Sequence, residues 1–252
     1  MIVFSFLRSL LASAFFLVFT FLWSGLAILE SWFVQNRDFE SWIMGAWGKL
    51  GLQVFGVRLE VKGLENIPEG AGLFVFNHAS FFDIFAMLAA YRHFRFGAKI
   101  ELFKIPIFGK AMRVFGILPI ARSKKEEVFR VYQEAQERAK RGEKFALSPE
   151  GKRNHRESLL PFKAGPFVFA INAGMPVVPV VIRGAHAVMG KGKYLPNWDR
   201  WSRKVFVEYL PAISSSGYSI DQRGDLQEKA YQAMQARFIS AELGEKPDKM
   251  KK

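Results

Sequence analysis

From Ser9 to Leu29 the chain has no charged side chain, and the run SLLASAFFLVFTFLWSGLAIL is apolar on every face. As a helix these 21 residues would extend ~31 Å, about the hydrocarbon thickness of a bilayer. A second segment, 39–54, carries Trp42, Trp47 and Lys49 among apolar positions, the pattern of an amphipathic partner with tryptophan at headgroup depth. Beyond about residue 55 the pattern changes to short apolar runs that alternate with helical periods. Strands are predicted at 57–61, 73–76, 94–98, 117–120, 144–147, 177–182 and 205–209, and helices at 81–92, 124–141, 162–173 and 221–241. The helix over 124–141 places Val128, Val131, Ala135 and Ala139 on one side, and Gly142 ends it. Such alternation predicts an α/β fold with a mixed, largely parallel sheet flanked by helices. No internal repeat or long linker appears. The economical division is a two-helix membrane anchor over 1–55, one domain over 56–244 and a charged, frayed tail over 245–252.

Two rival readings of the first segment are a secretory signal peptide and a buried core helix. The start MIVFSFLR is too apolar for a signal's charged region, and no small-x-small site closes the run. Uninterrupted length and the aromatics from Phe15 to Trp32 favour a membrane helix over a core helix. Whether it crosses the bilayer or enters one leaflet is left open by composition. Basic residues follow the anchor, so the positive-inside bias places the body on the cytoplasmic face of the inner (plasma) membrane.

Charge sharpens this. The chain has 36 basic and 23 acidic residues, a net of +13. Residues 1–36 contain only Arg8 and Glu30, so the excess lies wholly in the body. Such an excess points to an anionic partner: nucleic acid, an anionic lipid surface or a phosphorylated substrate. Nucleic acid is disfavoured, because no recognisable binding module is present and an apolar anchor has no place in one. The absence of cysteine excludes disulfides, thiolate metal sites and a cysteine nucleophile. No phosphate-binding glycine loop, no nucleophile elbow and no paired-histidine zinc motif occurs. Neither a metal nor a cofactor is therefore expected.

The chemistry-bearing segment is NHASFFD, Asn77 to Asp83, where a predicted strand gives way to a helix. A His and an Asp five apart across that turn can meet. The carboxylate would fix the ring's tautomer, and the other ring nitrogen would take a proton from a hydroxyl. The same residues also fit a capping box, Ser80 to Asp83, in which Asp83 merely caps the helix. Spacing alone does not choose between the two.

Further blocks follow in order: Lys104-Ile-Pro-Ile-Phe-Gly109, Gly116-Ile-Leu-Pro-Ile-Ala-Arg122, Ser148-Pro-Glu-Gly-Lys-Arg153, Pro161-Phe-Lys-Ala-Gly165 and Val177-Val-Pro-Val180. With these blocks the chain resembles the glycerolipid acyltransferases, specifically their 1-acylglycerol-3-phosphate (lysophosphatidate) branch. The resemblance spans roughly residues 77–181, and the anchor is similar to the family's N-terminal two-helix motif. It implies the glycerolipid acyltransferase fold, with His78 and Asp83 as the catalytic pair. It also implies that Arg122, Glu150, Gly151 and Arg153 bind the glycerol phosphate acceptor. Lys104 is a further candidate phosphate ligand, and Lys152 stands beside Arg153 where the family commonly has threonine. Ser148 replaces the family's phenylalanine. Acceptor identity is the point these departures touch. Planar guanidinium groups suit a phosphate dianion, whereas the charges from Lys124 to Lys144 read as a solvated surface.

The reaction so implied is direct transfer of a fatty acyl group to the sn-2 hydroxyl of 1-acylglycerol-3-phosphate, giving phosphatidic acid in phospholipid biosynthesis. The donor would be acyl-CoA or acyl-carrier protein, and backbone N–H groups near a helix start would hold the oxyanion. Two alternatives are weighed against it. One is the same chemistry on another lysophospholipid or a lyso-aminolipid; the other is a non-catalytic lipid-binding membrane protein.

Overall fold

The computed structural model describes residues 2–34, 36–121, 124–154, 159–193 and 195–242; the predicted tail over 245–252 lies outside them. Two helices come first, α1 (Ile2–Phe33) and α2 (Arg37–Val54). Then follow β1 (Val57–Lys62), β2 (Gly72–Phe76), α3 (Phe82–Ala90), β3 (Phe94–Lys99), α4 (Phe108–Val114) and β4 (Leu118–Ile120). The remainder is α5 (Lys125–Ala139), β5 (Lys144–Leu147), α6 (Gly165–Ala173), β6 (Val177–Arg183), α7 (Ala185–Val188), β7 (Arg203–Tyr209) and α8 (Arg223–Glu242). The short helices α4 and α7 have no counterpart in the sequence reading. Neither is long enough to display a helical period.

All seven strands form one sheet in the order β1-β7-β6-β2-β5-β3-β4. Strands β2 to β6 run parallel, β7 is antiparallel to β6, and β1 is parallel to β7. The sheet is thus mixed and largely parallel, as expected. Every residue of β2 is buried, as a strand covered by helices on both faces requires. Its successive side chains alternate between two cores. Phe74 and Phe76 join Phe82 and Phe85 on one face, while Leu73 and Val75 join Phe145, Phe167 and Leu226 on the other.

The N-terminal pair packs on the rest of the fold. Phe16 of α1 packs edge-on against Phe85 of α3 at 5.1 Å, and Trp47 of α2 does so at 4.6 Å. Trp47 also donates to the Thr20 hydroxyl (2.9 Å), and Trp23 donates to the Ile43 carbonyl (2.8 Å). Glycine permits the close approach of α2 to α3: a Cβ at Gly48 would lie 2.8 Å from Leu88 Cβ and 2.9 Å from the Phe85 carbonyl oxygen. The turn between α1 and α2 is fixed by Asn36, whose side chain accepts from the N–H groups of Asp38 and Phe39. Buried Glu30 accepts from Asn36 N–H (2.7 Å) and holds that turn on α1.

The outer side of α1 remains apolar and uncovered. Phe4, Leu7, Leu11, Val18, Leu22, Leu29 and Trp32 are all exposed and recur along one side of the helix. The stretch Phe4–Phe33 is long and apolar enough to cross a membrane, with a mean hydropathy of 2.0 over an 18-residue portion of it.

Candidate active site

The parallel strands bring their C-terminal ends to one edge of the sheet, and NHASFFD leaves β2 there. Asn77 pins the exit. Its amide nitrogen donates to the Ile182 carbonyl (2.8 Å) and its oxygen accepts from Ile182 N–H (2.7 Å), tying the end of β2 to β6. Only a side chain with both a donor and an acceptor does this in a buried position.

His78 follows, with its ring Nδ1 2.9 Å from Asp83 Oδ2. Asp83 sits in the first turn of α3 and its side chain is 1% exposed. The same oxygen also accepts from the N–H groups of Ala79 and Ser80, both at 2.8 Å. Ser80 Oγ accepts from Phe82 N–H (3.1 Å) and donates to the Met189 carbonyl (2.7 Å). The helix cap and the His–Asp contact are therefore one structure: the carboxylate that closes the first turn also receives the imidazole N–H. That arrangement leaves Nε2 as the ring nitrogen available to a substrate.

Glu150 enters from the loop after β5 and is buried. Its Oε1 accepts from His78 N–H (2.9 Å) and its Oε2 from Leu160 N–H (3.1 Å). Burial pushes its carboxyl above the ordinary range, partly offset by the two backbone N–H groups. In turn the His78 carbonyl accepts from Asn154 N–H (2.7 Å). The resemblance implies a place for Glu150 against the acceptor phosphate. Here its two oxygens accept from main-chain N–H groups. It fixes the backbone from which His78 projects.

A cavity of about 650 Å³ opens in front of His78, lined by Phe76, Ile84, Tyr132, Ser148, Gly151 and Lys163 among others. Tyr132 stacks on Phe169, and its burial pushes its hydroxyl well above the ordinary value, so it stays neutral. Ser148 contributes a buried hydroxyl that has no hydrogen-bond partner among the described residues. Ile84 and Gly97 also line a second, almost wholly apolar cavity of about 130 Å³ between α1, α2, α3 and α4, walled by Trp23, Ser24, Trp47 and Met112.

Among the described residues Lys163 is the cation that lines the His78 cavity. Its stem lies over Gly151, where φ is +71° and a Cβ would come within 2.7 Å of the lysine Nζ. Sequence reasoning quoted the block containing Lys163 but gave it no role. The spacing between 151 and 163 offered no signal, because the contact is made by the chain folding back, with Lys163 N–H donating to the Pro149 carbonyl (2.8 Å). Lys104 and Lys152 are exposed and Arg153 is half-buried; none of the three lines this cavity. Arg122 lies outside the described residues.

A sequence model of the family described as "Acyltransferase" matches residues 58–183, a range that includes His78, Asp83, Glu150 and Lys163. The chain belongs to the acyltransferase family. Its relatives include a chloroplast 1-acyl-sn-glycerol-3-phosphate acyltransferase of Brassica napus, 32% identical over 62% of this chain and 46% of that one. A 1-acyl-sn-glycerol-3-phosphate acyltransferase of Pseudomonas aeruginosa is 27% identical over 83% of this chain and 82% of its own. The chain spans less than half the length of the chloroplast relatives of Brassica napus and Arabidopsis thaliana that it matches. Among solved structures, the 1-acyl-sn-glycerophosphate (LPA) acyltransferase PlsC from Thermotoga maritima superposes with a TM-score of 0.79. That match has 26% identity and covers 97% of this chain and 100% of that one.

Proposed function

We propose that this chain transfers a fatty acyl group from an acyl thioester to the sn-2 hydroxyl of 1-acylglycerol-3-phosphate, forming phosphatidic acid. The observation that carries the reading is the His78–Asp83 pair, 2.9 Å apart, at a cavity that combines a cation with an apolar extension. His78 Nε2 removes the proton from the acceptor hydroxyl as its oxygen attacks the thioester carbonyl. Asp83 stabilises the imidazolium. Collapse of the tetrahedral intermediate expels the thiolate, which takes that proton back from Nε2. No acyl-enzyme is required. The donor is acyl-CoA or acyl-carrier protein, and no metal or cofactor enters.

Lys163 is assigned to the acceptor phosphate, and the names of the relatives support that acceptor class. Lysophosphatidate beside lysophosphatidylcholine, each with a radiolabelled acyl thioester, tests the reading. Phosphatidate formation without acylation of the masked phosphate is expected; transfer to both would keep the chemistry and move the substrate. Lys163→Ala should raise KM for lysophosphatidate about ten-fold or more, with Lys163→Arg recovering much of it. An unchanged KM would remove Lys163 from the phosphate site.

The apolar cavity is assigned to the acyl chain. Ser24 of α1 is buried in its wall, so Ser24→Phe should shift donor preference toward shorter chains. Equal rates across chain lengths in wild type and variant would place the chain elsewhere.

Attachment to a membrane surface belongs to the same proposal. Both ends of α1 are tied to the one folded body: Arg8 to the carbonyls of Arg200 and Trp201, and the α1–α2 turn through Arg37 to the Val114 carbonyl. A helix held at both ends by one water-facing domain lies on the bilayer rather than crossing it, with its uncovered stripe in a single leaflet. The cytoplasmic leaflet is favoured, because its anionic lipids attract a basic body.

A further inference from the structure

The first two turns of α1 rest on the connection between α7 and β7. Arg8 donates to the carbonyls of Trp201 (3.4 Å) and Arg200 (3.3 Å), and its guanidinium lies 4.3 Å from the centre of the Trp201 ring. Ser9 donates to the Pro196 carbonyl at 3.2 Å, Phe4 lies 5.7 Å from Trp201, and Phe6 meets Trp198 edge-on at 5.3 Å. Trp201 is 58% exposed although it touches Phe4, which belongs to the uncovered stripe. An aromatic group is therefore left in the open where the stripe begins.

Charge is concentrated at the same corner. Arg203 pairs with Asp199 and Lys204 with Glu60; among the described residues Lys191, Lys193 and Arg200 have no neutralising carboxylate closer than the 3.9 Å between Arg200 and Asp199. Lys193 donates to the Asn197 amide oxygen. The far end of the stripe is finished in the same way, with Lys110 5.0 Å over the exposed ring of Trp32. A bilayer surface has the matching order of layers: hydrocarbon for the stripe, headgroup level for tryptophan, and anionic phosphate for Lys and Arg.

We infer that the 191–204 segment is a second membrane contact, which binds anionic phospholipid headgroups and seats the N-terminal end of α1 at the bilayer surface. The inference rests on the surface-attachment reading above and adds a partner chemistry to a segment outside the catalytic cavity. It is tested by sedimenting the full chain with phosphatidylcholine vesicles and with vesicles containing phosphatidylglycerol. Wild type should bind both, and bind the anionic vesicles more tightly. Lys191→Gln with Arg200→Gln, both side chains exposed, should weaken binding to anionic vesicles by roughly twenty-fold at low salt. Binding to neutral vesicles should hardly change, and high salt should abolish the difference. A melting curve matching wild type establishes that the double variant is folded. Equal binding of variant and wild type to anionic vesicles, or no preference of wild type for them, would overturn the inference and leave α1 attachment standing. Binding to neither vesicle, with a concentration-dependent dimer in solution, would overturn both and give the stripe to a second copy of the chain.

Discussion

His78→Ala is expected to lower kcat for acyl transfer by ~10²–10⁴-fold, the usual contribution of a positioned general base. The fold should survive. Asp83 Oδ2 keeps its bonds from Ala79 and Ser80 N–H, and the His78 main chain keeps its bonds to Glu150 and Asn154, because none of these involves the imidazole. The loss should therefore appear in turnover rather than in melting temperature or in KM for the acceptor. Purified variant and wild type, compared for phosphatidate formation from a radiolabelled thioester, provide the check. Turnover near the wild-type rate in a folded variant would remove His78 from the mechanism.

Asp83→Asn should cost up to about 10⁴-fold in kcat, by analogy with loss of the orienting carboxylate in other His-dependent acyl transfer. The asparagine carbonyl can replace Oδ2 as acceptor for Ala79 and Ser80 N–H, so the start of α3 is preserved. What disappears is the negative charge that holds the Nδ1–H tautomer and stabilises the imidazolium. Asp83→Ala removes the acceptor as well. It leaves two N–H groups unpaired at a cost of about 1–3 kcal/mol each, and so confounds rate with stability. The comparison separates cap from catalysis. If the asparagine variant retained most of its rate while the alanine variant melted early, the carboxylate would be a helix cap and nothing more.

Legibility in the sequence followed how local each signal was. The buried strands were readable because a run such as Val177–Arg183 has few ways to hide its side chains, and its bounds came out within a residue of the reading. α5 was readable from its period. α6 begins at Gly165, three residues later than expected: Pro166 is accommodated in a first helical turn, while Lys163 and Ala164 before it line the cavity and Phe162 packs into the core against Phe167. The division at residue 55 rests on composition, which marks where charge begins; the packing of Phe16 and Trp47 on Phe85 across it is a tertiary contact that composition does not carry.

The candidate site divides in the same way. His78 and Asp83 are five residues apart, and a strand-to-helix turn of that length brings them together with little help from the rest of the chain. Their two readings, as cap and as pair, turned out not to compete, since one oxygen does both. Glu150 and Lys163 were out of reach of such reasoning. Glu150 meets His78 across 72 positions, through backbone N–H groups that exist in every residue and leave no trace in a motif. Lys163 reaches the cavity only because the loop after β5 folds back over Gly151.

By itself, then, the order of residues determined the alternation of strands and helices, the apolar first helix, the basic body and the His–Asp turn. Each of these rests on periodicity, composition or contacts a few residues apart. The tertiary structure decided which cation faces His78, what Glu150 holds, and that α1 lies along the body with both ends fastened to it. Those outcomes depend on pairs such as Arg8 and Trp201, 193 positions apart. Only the packed sheet and the helices laid on it bring such pairs within reach of one another.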